Sequence, residues 1–305
     1  MIRFLARRLL LSLGVAAFVV ILSFLMTRLS GDLAISIAGA NATDADIAQI
    51  RRAYDLDQPL AVQFLHWAGR ALTGDLGESF FFKEKVSRLI ASRLPITLTL
   101  GGVGMAAALL MAIPLGIMAA LHEGRSLDRA VLLLTTLGQA MPSFWVALIL
   151  MIVFGLHLQW LPISGTGSWR HFVMPAFVLG FSAVPALARL TRSGMIRALT
   201  SDYVRTARAK GLSWLSIVGK HALRNAAIPI VSIAAVQFGG MLGGSIVIET
   251  IFALHGVGFL AWESIGKADF AVIQAVVLLL SLIYVVLTLL TDVLNAVLDP
   301  RLRLP

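Results

Sequence analysis

The sequence predicts an all-α, polytopic membrane bundle of six transmembrane helices, with both termini on the inner side. Three observations predict it. First, 58% of the 305 residues are hydrophobic and only 13% are charged, about half the ~25% charged share of a soluble domain, and mean hydropathy is +0.89. Second, the apolar residues come in long blocks and do not alternate; a helix needs about 20 residues to cross roughly 30 Å of hydrocarbon. Third, the basic residues divide unevenly between the short loops.

Six blocks qualify in chain order: Leu9–Leu29, Ile96–Leu121, Ala130–Leu156, Phe172–Leu190, Ile228–Phe252 and Ala271–Leu294. Each must be helical, because a lone segment in lipid has to satisfy its own backbone hydrogen bonds. The first block follows Arg3, Arg7 and Arg8, as a signal peptide would. It is longer than a signal's apolar region, roughly 7–15 residues, and the cleavage-like Ala38-Gly39-Ala40 lies too far downstream. A retained anchor is expected. With the N-terminus inside, fifteen of the 25 Lys and Arg fall in inner segments, from Arg3 to Arg303. The two short outer loops hold only Arg170 and Lys267. Ten of the sixteen acidic residues fall outside. The positive-inside rule then gives N-in, C-in.

Three segments lie outside the bilayer. The long outer segment, 30 to 94, reads as small surface helices or as a spacer. Thr43-Asp44-Ala45-Asp46 is suited to cap a helix continuing through Gln49, Ile50 and Tyr54, and Gln58-Pro59 restarts one through Leu60, Phe64, Leu65 and Trp67. Gln159-Trp160-Leu161-Pro162, with Trp169, reads as interfacial anchoring. The third segment, Thr191 to Ala227, is inner. Asp202 is placed to cap a helix over Tyr203–Lys210, Gly211 stands at a left-handed C-cap, and Ser213 can cap a second short helix with Leu215, Val218 and Ala222 on one side. Three readings compete for this basic helix–turn–helix: DNA binding, which tethering by spans on both sides disfavours; an unpartnered positive-inside loop; or a docking element, with the small Ala207 and Ala209 letting a partner approach.

The docking reading is where the chain becomes recognisable. Asp202-Tyr203-Val204-Arg205-Thr206-Ala207-Arg208-Ala209-Lys210-Gly211-Leu212-Ser213 resembles the cytoplasmic loop of type I ABC importer permeases, whose coupling helix carries an EAA-then-glycine pattern. The leading glutamate of that pattern is missing here. The other matching stretches are Arg93-Leu94-Pro95-Ile96-Thr97-Leu98, Met141-Pro142-Ser143-Phe144, Gln159-Trp160-Leu161-Pro162 and His221-Ala222-Leu223-Arg224-Asn225-Ala226. Glu249-Thr250-Ile251-Phe252, Gly256-Val257-Gly258 and Leu298-Asp299-Pro300-Arg301 complete the set. Together they resemble the first-permease (B-type) subunit of the dipeptide/oligopeptide/nickel branch. His255 and Ala271 depart from the branch, which favours proline at both positions, and both are expected in the last outer loop.

The resemblance implies a type I importer permease fold and a transport subunit, not an enzyme, in the bacterial inner membrane. It implies a coupling helix over Tyr203–Leu212 that docks an ATPase. The implied partners are two ATPase subunits that bind ATP, a second and related permease, an extracytoplasmic solute-binding protein and membrane lipid, with no nucleic acid. The division expected is 1–93 for the first helix and long outer segment, 94–298 for a five-helix core containing the coupling loop 191–227, and 299–305 for a tail.

The residues agree with that division of labour. No G-x-x-x-x-G-K-[ST] phosphate loop is present: Trp214 stands where Gly219-Lys220 would need its leading glycine, so no cofactor is expected in this chain. Span five carries two overlapping G-x-x-x-G pairs, Gly239/Gly243 and Gly240/Gly244, which suit close helix packing or lining of the pathway. Gly101, Gly102 and Gly104 in span two invite the same two readings. Pro114, Pro142 and Pro185 can each kink a span. Met141 and Pro142 join the glycines and Glu249 as pathway or packing residues. Glu249 and Asp292 are the charges nearest the membrane interior. The rival class, a secondary transporter, would place coupling charges or broken helices near the midplane of related halves, and no internal repeat or midplane carboxylate is visible. A membrane enzyme would need a nucleophile or metal cluster, but cysteine is absent and the six histidines lack ligand spacing. No metal is expected.

Overall fold

The computed structural model describes residues 2–29, 31, 33–38, 42–53 and 55–298. The cleavage-like Gly39 and Ala40, Tyr54, and Asp299-Pro300-Arg301 with the rest of the tail lie outside the described residues. Among the described residues there is no strand, only one isolated bridge between Glu78 and Lys85.

The helices are α1 (Ile2–Leu29), α2 (Leu33–Ala38), α3 (Asp44–Ala53), α4 (Leu60–Leu72), α5 (Val86–Leu121), α6 (Ser126–Ala140) and α7 (Ser143–Leu150), which runs on as a π-helix over Met151–His157. Then come α8 (Arg170–Phe181), α9 (Val184–Leu199), α10 (Asp202–Ala209) and α11 (Trp214–Ser216), which continues through a π-helical Ile217–Ala222 into α12 (Leu223–Ile251). The last two are α13 (Val257–Gly266) and α14 (Phe270–Leu298). By length and apolarity α1, α5, α12 and α14 can each cross a membrane, and two more crossings follow if each bent pair, α6 with α7 and α8 with α9, counts as one span.

The expected third and fourth spans are therefore broken. α6 and α7 meet at 96°, and α8 and α9 at 58°. Prolines explain where. Pro142 immediately precedes α7, and Pro185 sits in the first turn of α9, where a missing N–H is tolerated. Pro114 and Pro95 lie inside α5 without ending it, so only two of the three expected kinks fall at breaks. With 36 residues, α5 is about 54 Å long at 1.5 Å per residue. It begins at Val86, ten residues before the apolar block, and runs continuously through positions 93 and 94.

α5 is the axis of the bundle. It packs most extensively against α8 and α9 and also touches α6, α12 and α13. Small residues permit the approach: a Cβ on Gly104 would meet the Ala176 carbonyl at 3.2 Å, and one on Gly116 would strike Thr191 Cβ at 2.5 Å. The core gathers Leu100, Ala108 and Ala112 of α5, Leu179, Val184 and Leu187 of α8 and α9, and Ile230, Met241 and Ile248 of α12. α14 packs on α12 and α1. Outward, Leu10, Phe18, Leu133, Leu134 and Leu290 are more than half exposed, an apolar surface that belongs against lipid or another apolar protein.

The bundle has two distinct ends. At one, the α10–α11 hairpin projects, and Asp128 takes both Nε and Nη2 of Arg192 at 2.6 and 2.7 Å, with the Gly124 N–H at 2.9 Å. Arg8 pairs with Asp292 at 3.2 Å at the same end, tying the start of α1 to the end of α14. The opposite end carries the long segment, which is helical and anchored. Thr43 and Asp46 form a reciprocal capping box at the start of α3: Thr43 N and Oγ1 donate to Asp46 Oδ2 at 2.9 and 2.7 Å, and Asp46 N donates to Thr43 Oγ1 at 3.3 Å. The Thr43 hydroxyl holds the Asp46 carboxyl below its ordinary range. α4 lies over the end of α1, with Phe24 edge-on to Phe64 at 5.4 Å and beside Trp67 at 5.9 Å. Ser79 donates to the buried Asp269, so this segment also grips the loop before α14. Ala271 proves to sit in the first turn of α14 and not in the loop. Helix α13 had no counterpart among the expected segments.

Candidate functional site

The residues singled out by sequence gather in three places: the hairpin, a cavity at mid-bundle, and a buried polar clasp at the opposite end.

The hairpin forms as its composition dictates. Ser201, not Asp202, occupies the N-cap position of α10, and Asp202 is its first helical residue. Gly211 has φ +73°, a left-handed conformation that costs other residues roughly 1–2 kcal/mol. Ser213 Oγ accepts the Ser216 N–H, as expected of a cap. The π-turn over Ile217–Ala222 rotates the side chains that follow it, so Leu215, Val218 and Ala222 do not share a face: Ala222 is fully buried and Leu215 is 84% exposed. Of the ten residues Tyr203–Leu212, Val204 and Ala207 are buried against Ile217 and Leu199. The small Ala207 thus serves internal packing, whereas Ala209 is exposed. Tyr203, Arg205, Thr206, Arg208, Lys210, Gly211 and Leu212 face outward with Trp214 and Leu215. Arg208 stacks its guanidinium 5.0 Å from the Trp214 ring. Trp214 was missed because it falls outside Asp202–Ser213, the stretch that carries the resemblance, although a tryptophan on a basic loop was a legible signal; Leu215 was expected to share a side with Val218 and Ala222.

Both helix breaks open onto one cavity of ≈ 180 Å³. Ser143 at the start of α7, Ser182 and Ala183 at the α8–α9 break, and Gln237, Gly240 and Gly244 of α12 line it. Phe181 fills the notch over Gly138, where a Cβ would come within 2.5 Å of its ring, so the two breaks abut. Met141 and Pro142 are exposed beside them. Ser182 Oγ donates back to the Leu179 carbonyl at 2.8 Å. The side chains of Ser143 and Gln237 make no hydrogen bond among the described residues. An amide left unpaired in hydrocarbon costs several kcal/mol, so Gln237, midway along α12, belongs on a surface that water or a solute reaches. The two G-x-x-x-G pairs divide here. A Cβ on Gly239 would strike Tyr284 of α14 at 2.7 Å, while Gly240, Gly243 and Gly244 have nothing within 4 Å. Gly239 is therefore a packing glycine and the other three present an open face. In α5, Gly101 and Gly104 are likewise packed, and Gly102 is open.

Glu249 lines neither the cavity nor the membrane interface. It is fully buried. Thr97 Oγ1 and Ser245 Oγ donate to its Oε1 at 2.8 and 2.9 Å, and the Phe259 N–H donates to Oε2 at 2.8 Å. Thr97 Oγ1 also accepts the Val257 N–H at 2.8 Å. The glycines of Gly256-Val257-Gly258 make room: a Cβ on Gly256 would lie 2.5 Å from both Glu249 Oε2 and Thr97 Oγ1. Arg93 Nη1 donates to the His255 carbonyl at 3.2 Å, and the His255 ring stands edge-on to Phe259 at 4.9 Å. Three signature stretches, two of them neighbours and the third 152 residues away at Thr97, thus close one knot joining α5, α12 and α13. Each stretch was visible in the sequence; their meeting was not.

No group of three or more His, Cys, Asp or Glu side chains suited to a metal occurs among the described residues. Residues 112–304 match the family described as "Binding-protein-dependent transport system inner membrane component", and residues 1–101 match its N-terminal counterpart. The chain is 42% identical over 304 residues, 99% of both chains, to the glutathione transport system permease protein GsiC of Salmonella choleraesuis (strain SC-B67). It is 36% identical over 309 residues, covering 98% of this chain and 99% of the other, to a probable peptide ABC transporter permease protein, y4tP, of Sinorhizobium fredii. Its fold resembles a chain of the inward-facing MetNI methionine ABC transporter, with TM-score 0.59 and 17% identity over 69% of this chain and 96% of that one. The chain therefore belongs to the binding-protein-dependent transport system inner membrane components, and it is a multi-pass, inner-membrane translocation subunit of an ABC importer rather than an enzyme.

Proposed function

We propose that this chain forms one half of the path for a small peptide or peptide-like solute, with six spans and both termini in the cytoplasm. The other half is a related but different permease. Of the two ATPase subunits, which supply the ATP site this chain lacks, one seats on the exposed face of the hairpin. A binding protein delivers the solute to the opposite end. The names of the 42%- and 36%-identical relatives, glutathione and peptide permeases, support the cargo class. So does the cavity, whose neutral hydroxyl and amide groups suit a peptide's own amides.

One observation carries the mechanism: α12 lines the cavity, α9 starts at its edge beside Ala183, and both also hold the hairpin. Val204 and Ala207 seat on Ile217, and Met195 and Ala198 of α9 pack against Ala222 and Ala226, where the hairpin becomes α12. Between Ala226 and Gly240 the helix rises about 21 Å. A displacement of the hairpin by an ATPase therefore reaches the two helices that border the cavity as a rigid-body shift, and the coupling acts in both directions. The broken spans are a feature that a secondary transporter would share, but Glu249 is engaged in the clasp on both carboxylate oxygens and does not supply the coupling charge that class needs.

The test is Gly211→Val in the assembled transporter in proteoliposomes. Membrane insertion stays intact, while uptake falls and ATP hydrolysis loses its response to loaded binding protein. Normal coupled uptake by this variant refutes the docking assignment. Because the chain has no native cysteine, Leu212→Cys labelled only from the cytoplasmic face checks the orientation independently.

A further inference from the structure

At the end opposite the hairpin, two adjoining hollows lie between α1 and α14. One carries the polar groups: Arg28 of α1, Arg70 of α4 and Gln274 of α14 line it with Asp75 and Glu78, among apolar side chains such as Trp67 and Leu76. The other is an apolar groove of ≈ 430 Å³ running down the α1–α14 seam, with Leu22 and Met26 on one wall and Ile273 and Val277 on the other. Thr27 and Phe270 border both hollows, so the groove leads into the polar cavity. Asp75 Oδ1 accepts the Gly77 N–H at 3.1 Å and the Arg28 guanidinium stacks 5.1 Å from the Phe24 ring centroid, but two buried nitrogens there are unspent. Arg28 Nε is buried without a hydrogen-bond partner, and so is Nε2 of Gln274, a residue only 7% exposed. Among the described residues, neither arginine has a carboxylate within 4.0 Å.

We propose that this composite site holds a zwitterionic phospholipid of the outer leaflet, with an acyl chain in the groove, its phosphate between Arg28, Arg70 and the Gln274 amide, and its ammonium toward Asp75 and Glu78. Charge complementarity selects this occupant. Guanidinium groups bind phosphate through paired, charge-assisted hydrogen bonds, and a Gln amide contributes a donor. The two carboxylates on the same cavity favour a headgroup that also carries a positive charge. A free anion would leave the groove unused. The lipid would tie the long outer segment to α1 and α14, which makes that segment's position sensitive to membrane composition.

The experiment is lipid analysis by mass spectrometry of the purified, assembled transporter after a delipidating detergent wash. Uptake is not the readout, so failure of the cargo assignment leaves the test intact. The wild type is expected to retain phosphatidylethanolamine. Arg28→Gln with Arg70→Gln is expected to lower retention about tenfold or more, from the loss of charge-assisted bonds. Val277→Trp is expected to lower it by blocking the groove while leaving both arginines in place. Gln274→Leu, a gentler change, gives a smaller loss and keeps the test valid if the double variant fails to assemble. Unchanged retention in these variants overturns the proposal. Preferential retention of phosphatidylglycerol overturns the role of Asp75 and Glu78, and displacement of the lipid by soluble phosphoethanolamine at equal concentration overturns the role of the groove.

Discussion

The two ends of α12 carry signature residues of opposite physical kinds. At its Ile251 end, Glu249 is buried with both oxygens satisfied, and hydrogen bonds and close glycine contacts surround it. At its Leu223 end, the hairpin shows water Tyr203, Arg208, Trp214 and Leu215, while Val204, Ala207 and Ile217 pack on Leu199, and Ala222 on Met195 and Ala198, to hold it to the bundle. One end is closed on itself and the other is open to a partner. Residues that recur in a family motif can therefore be there for folding or for recognition, and burial with hydrogen-bond accounting separates the two.

Breaking the closed end should have the largest effect. Glu249→Leu strands the Phe259 N–H and removes the acceptor for two hydroxyls, a loss of about 3 kcal/mol or more. The purified complex should melt at markedly lower temperature, and yield in the membrane should fall. Glu249→Gln, which keeps an acceptor oxygen, should recover a good part of the loss. Equal behaviour of the two variants would mean that the clasp fixes nothing.

Breaking the open end should be the next largest, and of a different kind. Trp214→Ala should leave melting and insertion unchanged while weakening ATPase association about thirtyfold, the ~2 kcal/mol typical of an aromatic anchor. A co-purification titration reads it directly. Lowered stability with undiminished association would move Trp214 from recognition to packing.

The span-five glycines sharpen the same contrast within about one and a half turns. Gly239→Leu forces the Tyr284 ring aside and should cost about 1–3 kcal/mol of stability, as overpacking does. Gly244→Leu projects into open space at the cavity and should leave stability within error while abolishing uptake. If both lower stability equally, α12 has no open face.

How much of this was legible follows from which interactions are local. The apolar blocks, the caps at Thr43 and Ser213, and the turn at Gly211 depend on residues within three or four positions of one another, and all stood out in the sequence. The breaks at Pro142 and Pro185 were half legible: proline marks where a helix can bend, but Pro114 and Pro95 show that packing decides whether it does. Long-range meetings were not legible. Thr97 with Glu249, Asp128 with Arg192, and Ser79 with Asp269 lie 152, 64 and 190 residues apart, and one sequence holds no record of such distances. The face of the hairpin was misjudged for a related reason. A π-turn adds a fraction of a residue to each turn, so a helical wheel drawn with the ordinary period placed Leu215 beside Ala222.

The smallest expected effect concerns charge on the open end. Asp202 stands 3.6 Å from Arg205, but the two side chains are 96% and 85% exposed, and exposed pairs contribute little once solvent screens them. Asp202→Asn should leave melting unchanged and alter ATPase affinity by less than about twofold. Its effect should fall instead on the salt dependence of association. Removing the carboxylate leaves Arg205, Arg208 and Lys210 as an unopposed basic rim, and rim charges act mainly on the rate of encounter. The rate of association should shift at low salt and converge with wild type at high salt. A large loss of affinity that salt does not change would place Asp202 inside the contact, and the recognition surface would then extend past α10 toward Ser201.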